Sequence, residues 1–217
     1  MNISNKFVFK LEHLLAIVLT LNKGLKGKVT NNKFTIISHN CWGAEVYREL
    51  EMQYNTPFVG LFVPPTDYLK MLKNLKKYMS MELKFINVSK YRWINIFRKN
   101  YKNNKYPIGV LGDVEINFLH YLDEKEAKEK WTRRVKRINY DNLYIELSDT
   151  DGLNSNIYNQ YIALPYRRKV CFVADKKWNL KDTVFIKDAE KYGKVMDGQI
   201  LYTFSKKYFN IANWLNR

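Results

Sequence analysis

The chain has 217 residues, 46% of them hydrophobic and 15% aromatic, with only nine Gly and five Pro. This excludes a disordered or fibrous polymer and supplies one sizeable core, or two small ones sharing an interface. A formal charge of +16 and a pI near 9.6 point to an anionic partner: nucleic acid, a phospholipid surface or a phosphorylated substrate. Two cysteines, Cys41 and Cys171, are too few for a disulfide framework, and with no cleavable signal evident the expected location is a reducing cytoplasm.

Residues 7–21 are strongly apolar, but Lys10, Glu12 and His13 interrupt them, and the clean run 14–21 is shorter than the roughly 20 residues that span a bilayer. Phe7, Leu11, Leu14, Leu15, Val18, Leu21 and Leu25 lie near one helical face, and Lys23, Lys26, Lys28 and Lys33 follow. Two readings stand here: a helix lying in an anionic membrane interface, or a helix packed on the core. Residues 1–28 are therefore set apart from a single α/β domain over 29–217.

Residues 34–38 read as a strand that ends in His39-Asn40-Cys41-Trp42-Gly43, after which Val46, Tyr47 and Leu50 take up helical spacing. In α/β sheets, ligands gather outside the carboxyl ends of strands, so a nucleophile and the N–H groups opening a helix would share this corner. A break at 54–57 leads to a buried strand expected over 58–63 and a helix from Pro65 through Tyr78. A short strand near 84–88, a polar loop over 98–105 and a strand at 108–111 follow. Residues 112–121 alternate polar and apolar, which predicts a half-buried strand with Asp113, Glu115 and Asn117 on one face. The helix signal over 123–138 begins with acidic residues, ends with Arg133, Arg134, Lys136 and Arg137, and carries Ala127, Trp131, Val135 and Ile138 as a buried stripe.

Next come a strand at 143–147, the turn Ser148-Asp149-Thr150-Asp151-Gly152, a helix at 155–163, Pro165, and a strand at 170–174. This plan of strand, loop, helix, Pro and strand repeats the one over 34–63. It reads either as a duplication or as ordinary α/β grammar. The tail predicts strands near 183–186 and 199–204 and a terminal helix near 208–215.

Three constellations carry possible chemistry. Cys41 with His120, oriented by Asp113 or Glu115, has the residue types of a nucleophile and its base; alternatively Cys41 packs as a small hydrophobe beneath Trp42. Asp149 and Asp151 at a strand end offer hard oxygen ligands to Mg²⁺ or Mn²⁺ holding a nucleotide diphosphate, or they form a turn that caps the next helix. Arg133 and Arg137, one helical turn apart with Arg134 alongside, converge on a phosphate or form a solvated basic face. Nucleic acid is not the expected partner, because the aromatics fall in core-like stripes and no helix-turn-helix, RNP or zinc spacing is visible.

Taken together, SHNCWGAEVY, PFVGLF, FLHY with EAKEKWTRRVKRIN, DNLYIELSDTDG and LPYRRKV resemble a bacterial domain-of-unknown-function family, number 1919. Its members are commonly described as exopolysaccharide or capsule biosynthesis proteins. The resemblance covers about residues 34–174 and is most specific over 131–139. It implies an α/β fold of two similar halves (about 34–122 and 123–217) and a place among polysaccharide-assembly enzymes. The family's recurrent positions map to Asn40, Cys41, Trp42, Gly43, Asp113, Glu115, His120, Trp131, Arg133, Arg134, Arg137, Asn142, Asp149 and Asp151. His39 stands where the family pattern has Asn, which puts a general-base role for it in doubt.

The resulting expectation is a membrane-proximal cytoplasmic group transferase, with glycosyl transfer from a nucleotide sugar or other phosphorylated donor to a glycan or lipid-linked glycan placed first. Asn40, Trp42, Gly43, Arg133, Arg134 and Arg137 would bind substrate, Cys41, His120, Asp113 and Glu115 would supply catalysis, and Asp149 and Asp151 a divalent cation. The alternatives are a Cys-His acyltransferase acting on a glycan and a non-catalytic scaffold.

Overall fold

The computed structural model describes residues 3–100, 106–178 and 180–217; within these, the side chains of residues 3–9, 11, 21 and 151 lie outside the description. In chain order the elements are α1 (Ile3–Thr20), β1 (Thr35–Ser38), α2 (Trp42–Glu49), α3 (Pro65–Lys73), α4 (Leu75–Met79), β2 (Lys84–Ile86), α5 (Arg92–Asn100), β3 (Ile108–Leu111) and β4 (Val114–Asn117). There follow α6 (Glu124–Val135), β5 (Leu143–Ser148), α7 (Ser155–Ile162), β6 (Lys169–Val173), β7 (Thr183–Phe185), α8 (Gly198–Tyr208) and α9 (Ile211–Leu215).

Among the described residues, β1-β5-β6-β7 form a wholly parallel sheet and β2-β3-β4 an antiparallel one. The fold is mixed α/β, as expected. Along β1, β5 and β6 successive residues bury on opposite faces. Ile36, Tyr144 and Phe172 enter a core with α2, α8 and α9, while Ile37, Ile145 and Cys171 enter another with α3, α6, α7 and the antiparallel sheet. A sheet covered on both faces favours continuous apolar runs over alternation, which is why these segments read clearly as strands.

Local chemistry sets the helix boundaries. Pro65 stands at the first turn of α3, where its missing N–H costs nothing. Asp123 accepts the Glu126 N–H at 2.8 Å, and Glu126 reaches back to the Leu122 N–H, so two otherwise orphaned donors of α6 are satisfied.

Several expectations are corrected. Residues 58–63 are not a strand: Phe62 makes a single bridge to Asn117, and Val63 donates to the His39 carbonyl at 2.9 Å. Residues 199–204 lie in α8, because the Asp197 side chain caps a helix there by accepting the Gln199 and Ile200 N–H groups. The start of the supposed 98–105 loop closes α5, and 101–105 fall outside the described residues. Asp113 sits in the two-residue turn after Gly112 (φ +61°) rather than on a strand face, and all of β4, Glu115 and Asn117 included, is buried.

The halves also differ. β5-α7-β6 is a parallel unit, whereas β1-α2 has no second strand in the same sheet and its chain continues into the antiparallel layer. Of the N-terminal apolar positions, Phe7, Leu11 and Leu21 lie outside the described side chains. α1 itself packs on the outside of α8 through Ala16 and Thr20.

Candidate functional site

All four strands of the parallel sheet point one way, so the segments leaving β1, β5 and β6 emerge at one edge. They border a cleft of about 1040 Å³ lined by Asn40 and Cys41, Asp149 and Thr150, Asp175 and Lys177, the segment 193–199, and also by Phe62, Trp93, Phe97, Leu119 and His120. The two loops singled out in the sequence do meet in one cleft, as a topology with shared carboxyl ends requires.

A buried polar network forms the cleft floor. Ser38 Oγ lies 2.5 Å from Glu146 Oε2 and 3.3 Å from Asn40 Oδ1. Asn40 Oδ1 also accepts the Trp42 N–H at 2.8 Å. Asn40 Nδ2 donates toward Ser148 Oγ and His39 Nε2. His39 Nε2 accepts the Ser148 N–H at 3.0 Å, and Ser148 Oγ continues to Thr150 Oγ1 at 2.9 Å, whose hydroxyl donates to the Met196 carbonyl. Burial pushes Glu146 up to about 8, against weaker opposing hydrogen bonds from Ser38 and Asn40, so it is protonated at neutral pH. Burial pushes His39 down to about 3. A neutral ring whose Nε2 already accepts a backbone proton positions β1 against β5; it does not serve as a general base.

The same network occupies the opening of α2. Asn40 takes the Trp42 N–H, Ser38 takes that of Gly43, and the Cys41 carbonyl takes those of Ala44 and Glu45. The helix end expected to receive an anion is therefore already satisfied. Gly198 packs against this turn so closely that a Cβ would lie 2.5 Å from the Trp42 nitrogen and 2.6 Å from that of Cys41. Only glycine allows α8 to start there.

The Cys41 thiol lies at the cleft but is pushed up to about 12, chiefly by burial and secondarily by the charges of Asp197 and Glu45. It rests as a thiol at neutral pH, unlike an activated nucleophile. His120 lines the cleft with an exposed ring that makes no hydrogen bond among the described residues.

The expected acidic orienters are elsewhere. Asp113 is paired with Lys70 and Tyr78 at 2.8 Å each, and Glu115 accepts Ser89 Oγ and the Lys90 N–H. Asp149 is an internal clasp: Oδ2 accepts the Ala174 N–H and Oδ1 the Val195 N–H, each at 2.7 Å, tying the end of β5 to the end of β6 and to the 193–199 wall. Its carboxylate is thus committed to the fold, and the Asp151 side chain lies outside the description. Among the described residues no group of three or more His, Cys, Asp or Glu is placed to hold a metal.

Of the expected substrate binders, only Asn40 lines the cleft. Trp42 is fully buried and donates to Ser205 Oγ at 3.0 Å, and Gly43 is wedged against Ile36 and Ser38. Arg134 is buried, donates to Tyr121 Oη at 2.7 Å and stacks on Tyr54. Arg137 reaches the Tyr54 carbonyl, and Arg133 is exposed. The arginines do not converge on a common ligand. The cleft cations are instead Lys177, paired with Asp175 at 2.6 Å, and Lys194, which is exposed and has no ion-pair partner among the described residues.

Sequence reading passed over Glu146, Ser148, Thr150, Trp93, Phe97 and Lys194. A lone Glu inside the apolar run LYIEL was the available signal for the first, since a charge in a doubly covered strand requires a partner. Trp93 and Phe97 at helical spacing were the signal for the aromatic wall.

Comparison with known proteins places the chain. It is 36% identical over 203 residues to an uncharacterized protein of Haemophilus influenzae, an alignment covering 90% of each chain. The sequence profile of the domain of unknown function DUF1919 matches residues 15–216, extending the resemblance seen over 34–174 to nearly the whole chain. The chain belongs to the DUF1919 family.

Proposed function

We propose that the cleft is the active site of a cytoplasmic group transferase of bacterial exopolysaccharide or capsule assembly, taking a nucleotide sugar or related phosphorylated donor. The observation that carries this reading is the cleft's position and makeup. It lies at the carboxyl edge of a parallel sheet and has room for a large ligand. Its lining combines the polar Lys194, Asn40 and Asp175 with the aromatic Phe62, Trp93, Phe97 and Trp178. Lys194 supplies charge for a phosphate, and the aromatic wall supplies flat faces for a sugar or base ring. His120, with its ring unengaged, is the candidate base for an acceptor hydroxyl. With Asp149 committed to the fold, the reading does not depend on a divalent cation.

Glycan acyl transfer through Cys41 has less support, because that half-buried thiol is pushed up to about 12. A non-catalytic scaffold of the polysaccharide assembly complex is favoured by one observation: among the described residues, Cys41 at the cleft is held as a thiol and no other cleft residue is an activated nucleophile. Titration calorimetry with nucleoside-diphosphate sugars and acyl-CoAs separates the three. Transferase chemistry requires nucleotide-sugar binding that weakens by about tenfold or more, roughly 1.4 kcal/mol, in Lys194→Glu and persists with chelator, together with donor turnover that is lost in His120→Ala. Binding of acyl-CoA alone, or of glycan without turnover, would replace it by the second or third reading.

A further inference from the structure

α1 is held to the body by one face only. Ala16 and Thr20 are buried, His13 stacks on Phe204 at a 6.0 Å centroid distance, and Glu12 ion-pairs with Lys191 and accepts from Tyr192. Opposite them Leu14, Leu15, Ile17, Val18 and Leu19 are between 40% and 61% exposed. Five large aliphatic side chains on adjacent helical turns form a contiguous apolar surface of the kind soluble monomers rarely leave uncovered. No helix among the described residues is long and apolar enough to cross a membrane.

Charge selects the occupant. Lys10, on the same side of the helix as Leu14 and Ile17, is exposed and has no ion-pair partner among the described residues. At the other end of α1 a cavity of about 350 Å³ is lined by Lys23, Lys28, Lys206, Lys207 and Tyr208. Lys206 and Lys207 are neutralised by Glu49 and Asp188, whereas the Lys23 and Lys28 ammonium groups meet, among the described residues, backbone carbonyls of Lys207 and Asn22 and no carboxylate. The apolar strip thus runs between Lys10 on one side and Lys23 and Lys28 on the other, cations that no carboxylate balances among the described residues. A second copy of a chain bearing +16 would bring like charges together, while an anionic bilayer supplies both an apolar layer and the opposite charge.

We infer that α1 docks the protein on anionic phospholipid, with Leu14, Leu15, Ile17, Val18 and Leu19 in the acyl boundary and Lys10, Lys23 and Lys28 against headgroup phosphates. This inference stands on α1 and does not rest on the reading of the cleft. The helix keeps its packing on α8 while bound, because the two contacts use opposite faces.

The test is flotation of the full chain with vesicles of phosphatidylcholine containing roughly a third phosphatidylglycerol, and with pure phosphatidylcholine. The expected result is binding to the anionic vesicles only, reduced as salt shortens the Debye length below about 10 Å. The double change Leu14→Asp and Val18→Asp should reduce binding about a hundredfold or more. Lys23→Glu with Lys28→Glu should reduce it about tenfold or more at low salt. All four positions face outward, so unchanged circular dichroism and thermal midpoint will show that the variants fold. Equal binding to neutral vesicles, or binding indifferent to the leucine and valine changes, would overturn the proposal. So would failure to float combined with self-association that the same changes abolish; that result would assign the face to a second copy.

Discussion

Ser38 and Glu146, 108 residues apart in sequence, face each other across adjacent parallel strands with Oγ 2.5 Å from Oε2. Ser38 donates this hydrogen bond, but burial outweighs it and pushes the Glu146 carboxyl up to about 8. The folded state holds the carboxyl proton while the unfolded chain releases it near the ordinary glutamate value. The associated stability is therefore fully present below about pH 4.5 and lost as pH rises through about 8. Glu146→Gln preserves shape and neutrality. In urea titrations its unfolding free energy should lie near wild type at pH 4 and exceed it by a few kcal/mol at pH 9, on the order of the linkage for a carboxyl moved from 4.5 to about 8. Parallel losses in both proteins between pH 6 and 9 would contradict the assignment. His39 works in the opposite sense: kept neutral down to about pH 3, it makes stability fall from pH 6.5 toward 3, and this acid limb should survive in Glu146→Gln.

Asp149 offers a second test. Replacing it by Asn puts an NH₂ group against one of two backbone N–H donors, those of Ala174 and Val195, leaving one buried donor unpaired. Stability should drop by about 1–3 kcal/mol, equally with and without Mg²⁺ or Mn²⁺. A loss seen only in metal-dependent nucleotide binding would restore Asp149 as a cation ligand.

For Cys41 the expectation is chemical inertness. With its thiol pushed up to about 12, iodoacetamide labelling of the native chain at pH 7.5 should be slower than that of an unfolded control by about tenfold or more. Cys41→Ser should leave binding of the proposed nucleotide-sugar donor unchanged. Rapid labelling together with loss of activity in Cys41→Ser would point to covalent chemistry.

The adjacent arginines should separate cleanly. Arg134→Ala removes a buried hydrogen bond to Tyr121 and the stacking on Tyr54, at a cost of about 2 kcal/mol. Arg133→Ala, on the exposed side of α6, should stay within about 0.5 kcal/mol of wild type. Urea titrations of both variants decide this, and an Arg133→Ala change that weakens donor binding instead would return the exposed arginine to the substrate.

Strand identity was legible wherever a segment is buried on both faces, as in 35–38 and 143–148, because burial there favours β-branched and aromatic residues over polar alternation. It was illegible at 58–63, whose composition suits a strand but whose N–H groups pair with His39 and Asn117 instead of a full neighbour. It failed at 199–204, where the cap, Asp197, lies just before the pattern and outweighs β propensity. The site was half readable. Chain order brought Asn40, Cys41 and Asp149 to one edge, but whether a carboxylate meets solvent or a backbone N–H depends on loops more than 20 residues away in sequence, and spacing says nothing of them. For that reason Asp113, Glu115 and Asp149 all proved to be structural partners, while Lys194, in a segment with no motif, holds the open charge.

The parallel sheet takes its first strand from before the antiparallel unit and its second from after it. Closing β1 onto β5 means joining segments 108 residues apart, whereas β3 and β4 are joined by a two-residue turn. Loop-closure entropy grows with separation, and distant contacts slow folding. The β3-β4 hairpin should gain protection early in pulsed hydrogen exchange, and β1 should gain it last, with His39 and Ser38 leaving water only in the final step. The cleft residues that follow β1 and β5, Asn40, Cys41 and Asp149, are therefore assembled late, and a destabilised variant should lose the cleft before it loses its secondary structure.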